Sequence, residues 1–305
     1  MPPNNRIEDL FSVAGLVVVI TGGGSGLGLY AARALDANGA KAVYIVGRRE
    51  EVLKKAAATA VNGNIIPIQG DVSDKDSLAK VVEHVRQKEG FVNLLFANAG
   101  VSGPGHAKSV KKDDGSKPTL QEFQTAMLKP SMEEFTQVGH VNVTSVFYTV
   151  MSFLDLLHAG NQKRNVPQES QVLVTSSIAG FSRQISHGFS YSTSKAAVTH
   201  LVKNLSTTFS QNGFHVRVNS ISPGLYPSEM TETNLSGVDK WSGGDHGAFP
   251  DAKNMPKEAC PAERTGSEED FAGTILFMAS RAGAYLNGEC MVSDGGRLSQ
   301  LPAAY

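Results

Sequence analysis

Short apolar runs alternate with segments of helical periodicity along almost the whole chain of 305 residues. The runs that fit strands span residues 17–20, 42–46, 64–69, 92–97, 171–175, 215–221 and 289–292. The segments that fit helices span residues 27–38, 50–60, 74–88, 132–157, 191–211 and 268–279. Because the strand runs are apolar throughout rather than alternating, they belong in a parallel sheet covered on both faces. The pattern predicts an α/β fold, a single doubly wound domain over residues 1–305 with a seven-stranded parallel sheet and helices on both faces.

The charge balance and the cysteine content exclude several classes of protein. Lys and Arg total 28 against 29 Asp and Glu, so the net charge of -1 gives no attraction to nucleic acid or to an anionic membrane. The longest apolar run near the start, residues 16–20, is too short to span a bilayer. Cys260 and Cys290 are too few for a disulfide framework or a thiolate metal site. We therefore expect a soluble cytoplasmic protein with no metal, no nucleic-acid partner and no membrane partner.

A glycine-rich turn connects the first predicted strand to the first predicted helix. Residues 21–28 read Thr-Gly-Gly-Gly-Ser-Gly-Leu-Gly. Glycines allow the backbone to approach a pyrophosphate closely, and the helix N-terminus favours the anion. The spacing differs from both the usual dinucleotide fingerprint and the P-loop, so a glycine turn without a ligand remains the alternative. We predict that the dinucleotide-binding residues of this turn are Gly22, Ser25, Gly26, Leu27 and Gly28.

The residues after the second predicted strand bear on the choice of dinucleotide. An NAD site places a carboxylate about 20 residues beyond the last glycine, where it accepts from the ribose 2′-hydroxyl. This chain has Arg48 twenty residues after Gly28 and no carboxylate before Glu50. A guanidinium suits a 2′-phosphate. We therefore predict NADP(H) as the cofactor and Arg48 as its ligand, whereas a solvated surface role fits Arg49.

Three side chains are candidates for acid–base chemistry. Tyr191 and Lys195 open a predicted helix four residues apart, on one face. A phenol is a poor catalyst at neutral pH, and a neighbouring ammonium favours phenolate and lowers the phenol's pKa. Ser177 follows a predicted strand fourteen residues before Tyr191, at the sheet edge where ligands bind. Surface pairing is the alternative for the Tyr–Lys pair, and a turn cap is the alternative for Ser177.

The order of these motifs resembles that of the short-chain dehydrogenase/reductases, in their single-domain NADP-dependent branch, over about residues 12–297. Further motifs that carry the resemblance are Asp71-Val72, Asn98-Ala99-Gly100, Asn142, Pro223-Gly224 and Asp294-Gly295-Gly296. The resemblance implies a Rossmann-type fold. It also implies that the dinucleotide contacts Asp71, Val72, Asn98, Ala99, Gly100, Tyr191, Lys195, Pro223, Gly224 and Leu225.

The activity that the resemblance implies is that of a carbonyl reductase or alcohol dehydrogenase acting on a small molecule. Tyr191 would exchange the proton, and Ser177 would hold the carbonyl oxygen. Lys195 would bind the ribose hydroxyls and lower the pKa of Tyr191. Asn142 would anchor a water that links Lys195 to solvent. An NADP-binding protein without redox chemistry, such as a sensor or binding module, is the alternative function.

Three features depart from the family pattern. The spacing of fourteen between Ser177 and Tyr191 exceeds the common thirteen and suggests a one-residue bulge between them. Because Gly100 and Asn142 are unusually far apart, we interpret residues 102–130 as an insertion loop. The long segment 225–264 occupies the place of the substrate lid, although its apolar residues could equally pack the loop onto the domain. The candidates for lining a substrate pocket are Leu225, Tyr226, Met230, Leu235, Trp241, Phe249, Ile178, Gln184, Ile185, His187 and Phe189.

These residues favour a medium-to-bulky apolar or aromatic ketone as the substrate. Family members commonly pair through the two long helices that here carry Asn142 and Tyr191. We therefore expect a homodimer or homotetramer.

Overall fold

The seven predicted strands are all present in the computed structural model, which describes residues 4–104, 115–185, 187–241, 243 and 249–303. The strands are β1 Val17–Thr21, β2 Ala42–Gly47, β3 Ile65–Gln69, β4 Leu94–Ala97, β5 Gln171–Thr175, β6 Arg217–Pro223 and β7 Cys290–Ser293. They form one parallel sheet in the order β3-β2-β1-β4-β5-β6-β7. The prediction of a doubly wound, seven-stranded parallel sheet is therefore confirmed.

The chain order reverses at β1, which pairs with β2 on one side and β4 on the other. Strands β2 and β3 lie on one side of it, and β4 to β7 continue on the other. The crevice outside the carboxyl ends of the strands at such a switch point is the usual ligand position in this type of sheet.

Helices cover both faces of the sheet. Their bounds are α1 Ile7–Leu10, α2 Gly26–Ala37, α3 Glu50–Ala57, α4 Lys75–Lys88, α5 Leu120–Leu128, α6 Met132–Gly139, α7 Ser145–Lys163, α8 Phe189–Gln211, α9 Glu232–Leu235 and α10 Glu268–Ala279. One apolar core lies between the sheet and α4, α7 and α8, and a second lies between the sheet and α2, α3 and α10. Both layers are packed, which is why β1 and β4 at the centre of the sheet are buried along their whole length.

Strand β3 lies at the edge of the sheet and contains a proline, which a central strand would not accommodate. Pro67 stands opposite Ile45 in the β2–β3 register and has no backbone N–H to donate. Only an edge strand, which leaves one side of its ladder unpaired, tolerates that loss. The Pro67 position is therefore consistent with β3 as the outermost strand.

The helix predicted over 132–157 is interrupted and runs further. A π-helical turn, His140–Thr144, separates α6 from α7, which continues to Lys163. The turn contains Asn142, which is buried and bonded to Val101 and Ser194. The extra residue in a π turn is a common device for aiming a side chain. Ser131 and Glu134 form the capping box at the start of α6.

The stretch Met132–Lys163 is, among the described residues, the one helical run long and apolar enough to cross a bilayer. Core helices share this length and composition, and 44% of its most apolar 18-residue stretch is buried inside the protein. Its buried residues Val150, Phe153 and Leu157 belong to the core under the sheet.

The two irregular segments contain more structure than predicted. Residues 102–130 include the helix α5, which Thr119 and Glu122 begin with a capping box. Residues 105–114 of this segment lie outside the described residues. In 225–264, antiparallel bridges join Lys240 to Lys253 and Asn254 to Arg264. Caps and bridges of this kind rest on a few polar side chains and backbone groups, so no apolar pattern in the sequence predicts them.

One buried carboxylate holds a connection of the fold. The Asp36 side chain is fully buried and accepts hydrogen bonds from the backbone N–H groups of Val61, Asn62 and Asn64 at 2.6, 3.1 and 2.9 Å. It therefore fixes the turn that leads from α3 into β3.

We expect Asp36→Ala to lower the free energy of unfolding by about 3 kcal/mol, because three backbone N–H donors lose a buried, charged acceptor. Urea unfolding followed by circular dichroism measures the change. The matched control is Asp76→Ala, at an exposed position in the first turn of α4, where the expected change is below about 1 kcal/mol. Equal stability of the two variants would contradict the assigned role of Asp36.

Candidate active site

A cavity of about 580 Å³ lies at the carboxyl ends of the central strands, beside the switch point of the sheet. It is bounded by the glycine-rich turn, the ends of β2, β4 and β5, the start of α8 and residues 223–231. Of the predicted site residues, those that line it are Gly22, Ser25, Gly26, Leu27, Arg48, Asp71, Val72, Asn98, Ala99, Gly100, Ser177, Tyr191, Lys195, Pro223, Gly224 and Leu225. Gly28 and Asn142 stand directly behind this lining.

The glycine turn is shaped by contacts that leave no room for side chains. Gly22 has φ +65°, and a Cβ there would lie 2.9 Å from the Ala99 Cα. A Cβ on Gly28 would lie 2.3 Å from the Gly22 carbonyl oxygen. Ser25 precedes α2 with an extended backbone, so the first N–H groups of a twelve-residue helix begin at this turn. The turn therefore presents free backbone and a helix N-terminus, as a pyrophosphate requires.

Asn98 braces this turn rather than projecting freely into the cavity. Its Nδ2 donates to the carbonyl oxygens of Thr21 and Gly22 at 3.1 and 3.2 Å. Its Oδ1 accepts from the Thr175 hydroxyl at 2.8 Å. The Asn98 amide thus joins the ends of β1, β4 and β5, and a contact with a dinucleotide stays a prediction.

The far end of the cavity carries two arginines and two acids. Asp71 accepts from the Ser73 hydroxyl and backbone N–H at 2.6 and 2.9 Å. These bonds lower the pKa of Asp71, and the positive charge of Arg48 acts in the same direction. Arg49, for which a solvated surface role was expected, has a side chain that is 61% exposed, and it also pairs with Glu229 at 2.6 Å. That pair could not be predicted from the sequence, because Glu229 lies in an irregular segment 180 residues away.

Ser177, Tyr191 and Lys195 converge on the other end of the cavity. Ser177 caps a short 3-10 helix by accepting from the Ala179 N–H at 3.1 Å, and it also hydrogen-bonds Tyr191. The turn cap, one of the two alternatives posed for Ser177, is therefore present, and its contact with a carbonyl oxygen stays a prediction. The Lys195 Nζ donates to the Thr175 carbonyl oxygen at 2.8 Å and lies 5.6 Å from the centre of the Tyr191 ring.

Burial determines the ionisation of this group. Burial raises the pKa of Tyr191, and the hydrogen bond with Ser177 offsets part of that rise. Burial also lowers the pKa of Lys195 to about 8. The expected lowering of the Tyr191 pKa by the Lys195 ammonium is therefore wrong for the protein groups alone, because desolvation of the phenolate dominates. At neutral pH, Tyr191 is a neutral phenol that can donate a proton.

Asn142 lies behind Lys195, and its side-chain amide is hydrogen-bonded to other groups of the protein. Its Oδ1 accepts from the Val101 N–H at 2.9 Å, and its Nδ2 donates to the Val101 carbonyl and the Ser194 hydroxyl at 2.9 and 3.0 Å. A Cβ on Gly100 would lie 3.1 Å from Asn142 Oδ1 and 3.7 Å from Lys195 Nζ. Glycine at this position therefore keeps open the gap between the two side chains.

Among the described residues of segment 225–264, those that line the cavity all lie between 225 and 231. Leu225, Tyr226 and Met230 line it, whereas Leu235, Trp241 and Phe249 are not among the described lining residues. Trp241 and Phe249 instead pack on the Arg264 guanidinium, with ring centres 5.5 and 4.0 Å away. Of the two alternatives posed for the apolar residues of this segment, packing onto the domain therefore fits Trp241 and Phe249, and a lid role for the segment stays a prediction.

The connection between Ser177 and Tyr191 contributes one of its described residues to the cavity. His187 lines it, and its ring centre lies 5.2 Å from that of Tyr191. The other candidates from this connection are not among the described lining residues, namely Ile178, Gln184, Ile185 and Phe189. Ile178 is buried in the protein and Phe189 is on the surface, because the 3-10 turn and the start of α8 direct them away.

A doubly wound sheet with a glycine cradle and a Ser–Tyr–Lys group at its switch point defines a nicotinamide-dependent oxidoreductase that acts on a CH–OH or C=O group. The sequence profile of the short chain dehydrogenase family matches residues 16–238. The chain belongs to the short-chain dehydrogenase/reductase family.

Relatives and solved structures of this family match nearly the full chain. The short-chain dehydrogenase/reductase PhomF of Diaporthe leptostromiformis is 45% identical, with 99% of this chain and 98% of PhomF covered. VdtF of Byssochlamys spectabilis, also a short-chain dehydrogenase/reductase, is 38% identical, with 98% and 97% covered. The structure of the Pseudomonas aeruginosa RhlG/NADP active-site complex is 26% identical, with a TM-score of 0.74 and 95% and 98% covered.

Proposed function

We propose that this protein is an NADPH-dependent reductase that transfers a hydride to a medium-to-bulky apolar or aromatic ketone. The observation that carries the proposal is the buried, neutral Tyr191 phenol beside Ser177, in a cavity that also contains Arg48. The NADP complex of RhlG supports the choice of cofactor. A Pseudomonas aeruginosa relative named as a 3-oxoacyl-[acyl-carrier-protein] reductase, 27% identical, supports reduction of a ketone.

The residues present fit a nicotinamide dinucleotide. The cradle that a Cβ on Gly22 or Gly28 would fill suits the pyrophosphate. Arg48 suits a 2′-phosphate, and the Lys195 ammonium suits the hydroxyls of the nicotinamide ribose. The cofactor supplies the hydride when it is bound.

The side chains account for the proton. The Ser177 hydroxyl donates a hydrogen bond to the ketone oxygen and stabilises the negative charge that develops there. The Tyr191 hydroxyl donates its proton to that oxygen, which leaves a phenolate. Lys195, protonated below about pH 8, stabilises the phenolate until a proton returns. Leu225, Tyr226 and Met230 give the wall an apolar character that suits the substrate.

The test of the reaction is NADPH oxidation by the purified protein over a panel of ketones, quinones and aromatic carbonyls, with NADH in parallel. Turnover with NADPH is the expected result. Tight NADPH binding without turnover of any carbonyl would favour the non-redox alternative.

We expect Arg48→Ala to raise the Kd for NADPH by about 10- to 100-fold, because a charge-assisted contact with the 2′-phosphate is lost. The Kd for NADH should change by less than about twofold, since NADH lacks that phosphate. Cofactor fluorescence titration measures both constants. A matched control is Arg183→Ala, which removes an arginine outside the cavity lining. Equal weakening of NADPH and NADH would remove Arg48 from the 2′-phosphate site.

The assembly we propose is a homodimer or homotetramer formed through the long helices. The α7 helix exposes Phe147 and Tyr148, whose rings are stacked edge to face with centres 5.5 Å apart. Exposed aromatic pairs of this kind are typical of interface cores. We expect light scattering to give at least twice the chain mass of 32.4 kDa. Phe147→Glu should shift the mass toward the monomer, and a monomeric mass for the unmodified protein would contradict the assembly.

A further inference from the structure

The short segment 225–231, here called the strap, lies across the cofactor end of the cavity. Its conformation is fixed internally, because the Thr231 hydroxyl donates to the Tyr226 carbonyl at 2.6 Å and accepts from the Ser228 N–H at 2.9 Å. Residues 225, 226 and 228–231 line the same cavity as the glycine turn and Arg48. The strap is therefore a formed element of the cofactor site.

Three contacts tie the strap to the elements that hold a dinucleotide. The Tyr30 hydroxyl of α2 donates to the Pro227 carbonyl at 2.9 Å. The Ser228 Cβ approaches the glycine turn so closely that a Cβ on Gly26 would lie 3.0 Å from it. The Arg49 Nη2 pairs with the Glu229 Oε2 at 2.6 Å. The first two contacts are neutral, so only the third responds to charge.

The Arg49–Glu229 pair stands where a second phosphate contact is possible. Arg49 follows Arg48 in the chain, and both line the cavity with Glu229. The pair is more than half exposed, with side-chain exposures of 61% and 55%. Ion pairs of this kind are weak because water competes with them. A phosphate that carries nearly two charges and three acceptor oxygens binds a guanidinium more strongly than one carboxylate does.

We propose that Glu229 is a determinant of cofactor selectivity: it holds Arg49 until the 2′-phosphate of NADPH replaces it as the arginine's partner. With NADH there is no phosphate to compete, and the Arg49–Glu229 pair persists. Glu229 thereby opposes NADPH in two ways, because it occupies Arg49 and adds a negative charge beside the phosphate. The inference rests on the proposed preference for NADPH and adds Arg49 and Glu229 to the residues that determine it.

The test is the Kd of NADPH and of NADH, measured by fluorescence titration on the intact protein and its variants. Glu229→Gln should lower the Kd for NADPH by about three- to tenfold and change the Kd for NADH by less than about twofold. Arg49→Gln should weaken NADPH by at least about fivefold, both alone and in the Glu229→Gln background, because the released arginine contacts the phosphate. The gain from Glu229→Gln should decrease as salt is added.

The matched control is Glu232→Gln, which removes an exposed carboxylate three residues further along and outside the cavity lining. It should leave both constants unchanged. The inference is overturned if Glu229→Gln leaves the NADPH constant unchanged or shifts NADPH and NADH equally. It is also overturned if Arg49→Gln leaves the Kd for NADPH unchanged both alone and in the Glu229→Gln background.

Arg48→Ala separates this inference from the proposed function. If Arg48→Ala weakens NADPH selectively while Glu229→Gln has no effect, only the role of Glu229 fails. If neither arginine variant distinguishes NADPH from NADH, the proposed cofactor preference and the inference fail together.

Discussion

Tyr191→Phe should lower kcat for ketone reduction by about 10³-fold, because the variant lacks the hydroxyl that donates the proton. The Kd for NADPH should change by less than about threefold, since the ring and the neighbouring Lys195 remain in place. Steady-state kinetics and fluorescence titration on the same preparation give the two numbers.

Two controls separate the loss of the reacting hydroxyl from a general effect of Tyr→Phe substitution or of misfolding. Tyr285→Phe removes a hydroxyl from a tyrosine that is fully exposed and should have no effect on turnover. Circular dichroism should show unchanged folding of Tyr191→Phe, because the lost hydroxyl makes one hydrogen bond, with Ser177. Turnover within about tenfold of the unmodified protein would assign the proton transfer to another group.

Lys195→Met should abolish turnover and at the same time stabilise the folded protein by about 2 kcal/mol at pH 7.5. Lys195 is 4% exposed, and burial lowers its pKa from 10.5 to about 8. Keeping the ammonium charged in the folded state therefore costs about 3 kcal/mol at neutral pH, part of which its hydrogen bond to Thr175 is expected to offset in the comparison with Met. Methionine has a similar length and no charge, so it removes the cost and loses the bond.

The sign of the pH dependence follows from the same shift. Between about pH 8 and pH 10.5 the unfolded chain binds the Lys195 proton and the folded chain does not, so stability from this group rises with pH. Between pH 7.5 and pH 9.5, the free energy of unfolding of the unmodified protein should therefore rise by about 2 kcal/mol relative to that of Lys195→Met.

Urea unfolding of both proteins at the two pH values measures this difference. Lys203→Met, at an exposed position on α8, is the matched control and should remove no such pH dependence. A difference that stays constant with pH would show that the Lys195 pKa is not lowered.

The sheet and the proximity of Tyr191 to Lys195 could be predicted from the sequence, because both follow from local patterns. Residues 17–20 of β1 are all apolar because both faces of the strand are covered, and that pattern is visible without a structure. Tyr191 and Lys195 are one helical turn apart, so their proximity follows from helix geometry. The strand bounds differed from the prediction by at most two residues at either end.

The parts that the sequence did not predict depend on contacts between distant residues. The direction of the Tyr191 pKa shift depends on burial by neighbours from several elements. The Arg49–Glu229 pair and the packing of Trp241 on Arg264 form within or across irregular segments, where no periodicity links the partners. The helix α5 buries none of its residues, so it lacks the apolar face that identifies a core helix.

The brace that Asn98 forms across the ends of three strands has a thermodynamic consequence. The glycine turn is held by the Thr21, Gly22 and Thr175 contacts of one amide, all of which are made within the protein. Glycine-rich backbone has the largest conformational entropy to lose, and here that loss is incurred during folding rather than at binding. Dinucleotide association therefore begins from a preorganised receptor, in which little of the binding free energy is spent on ordering the loop.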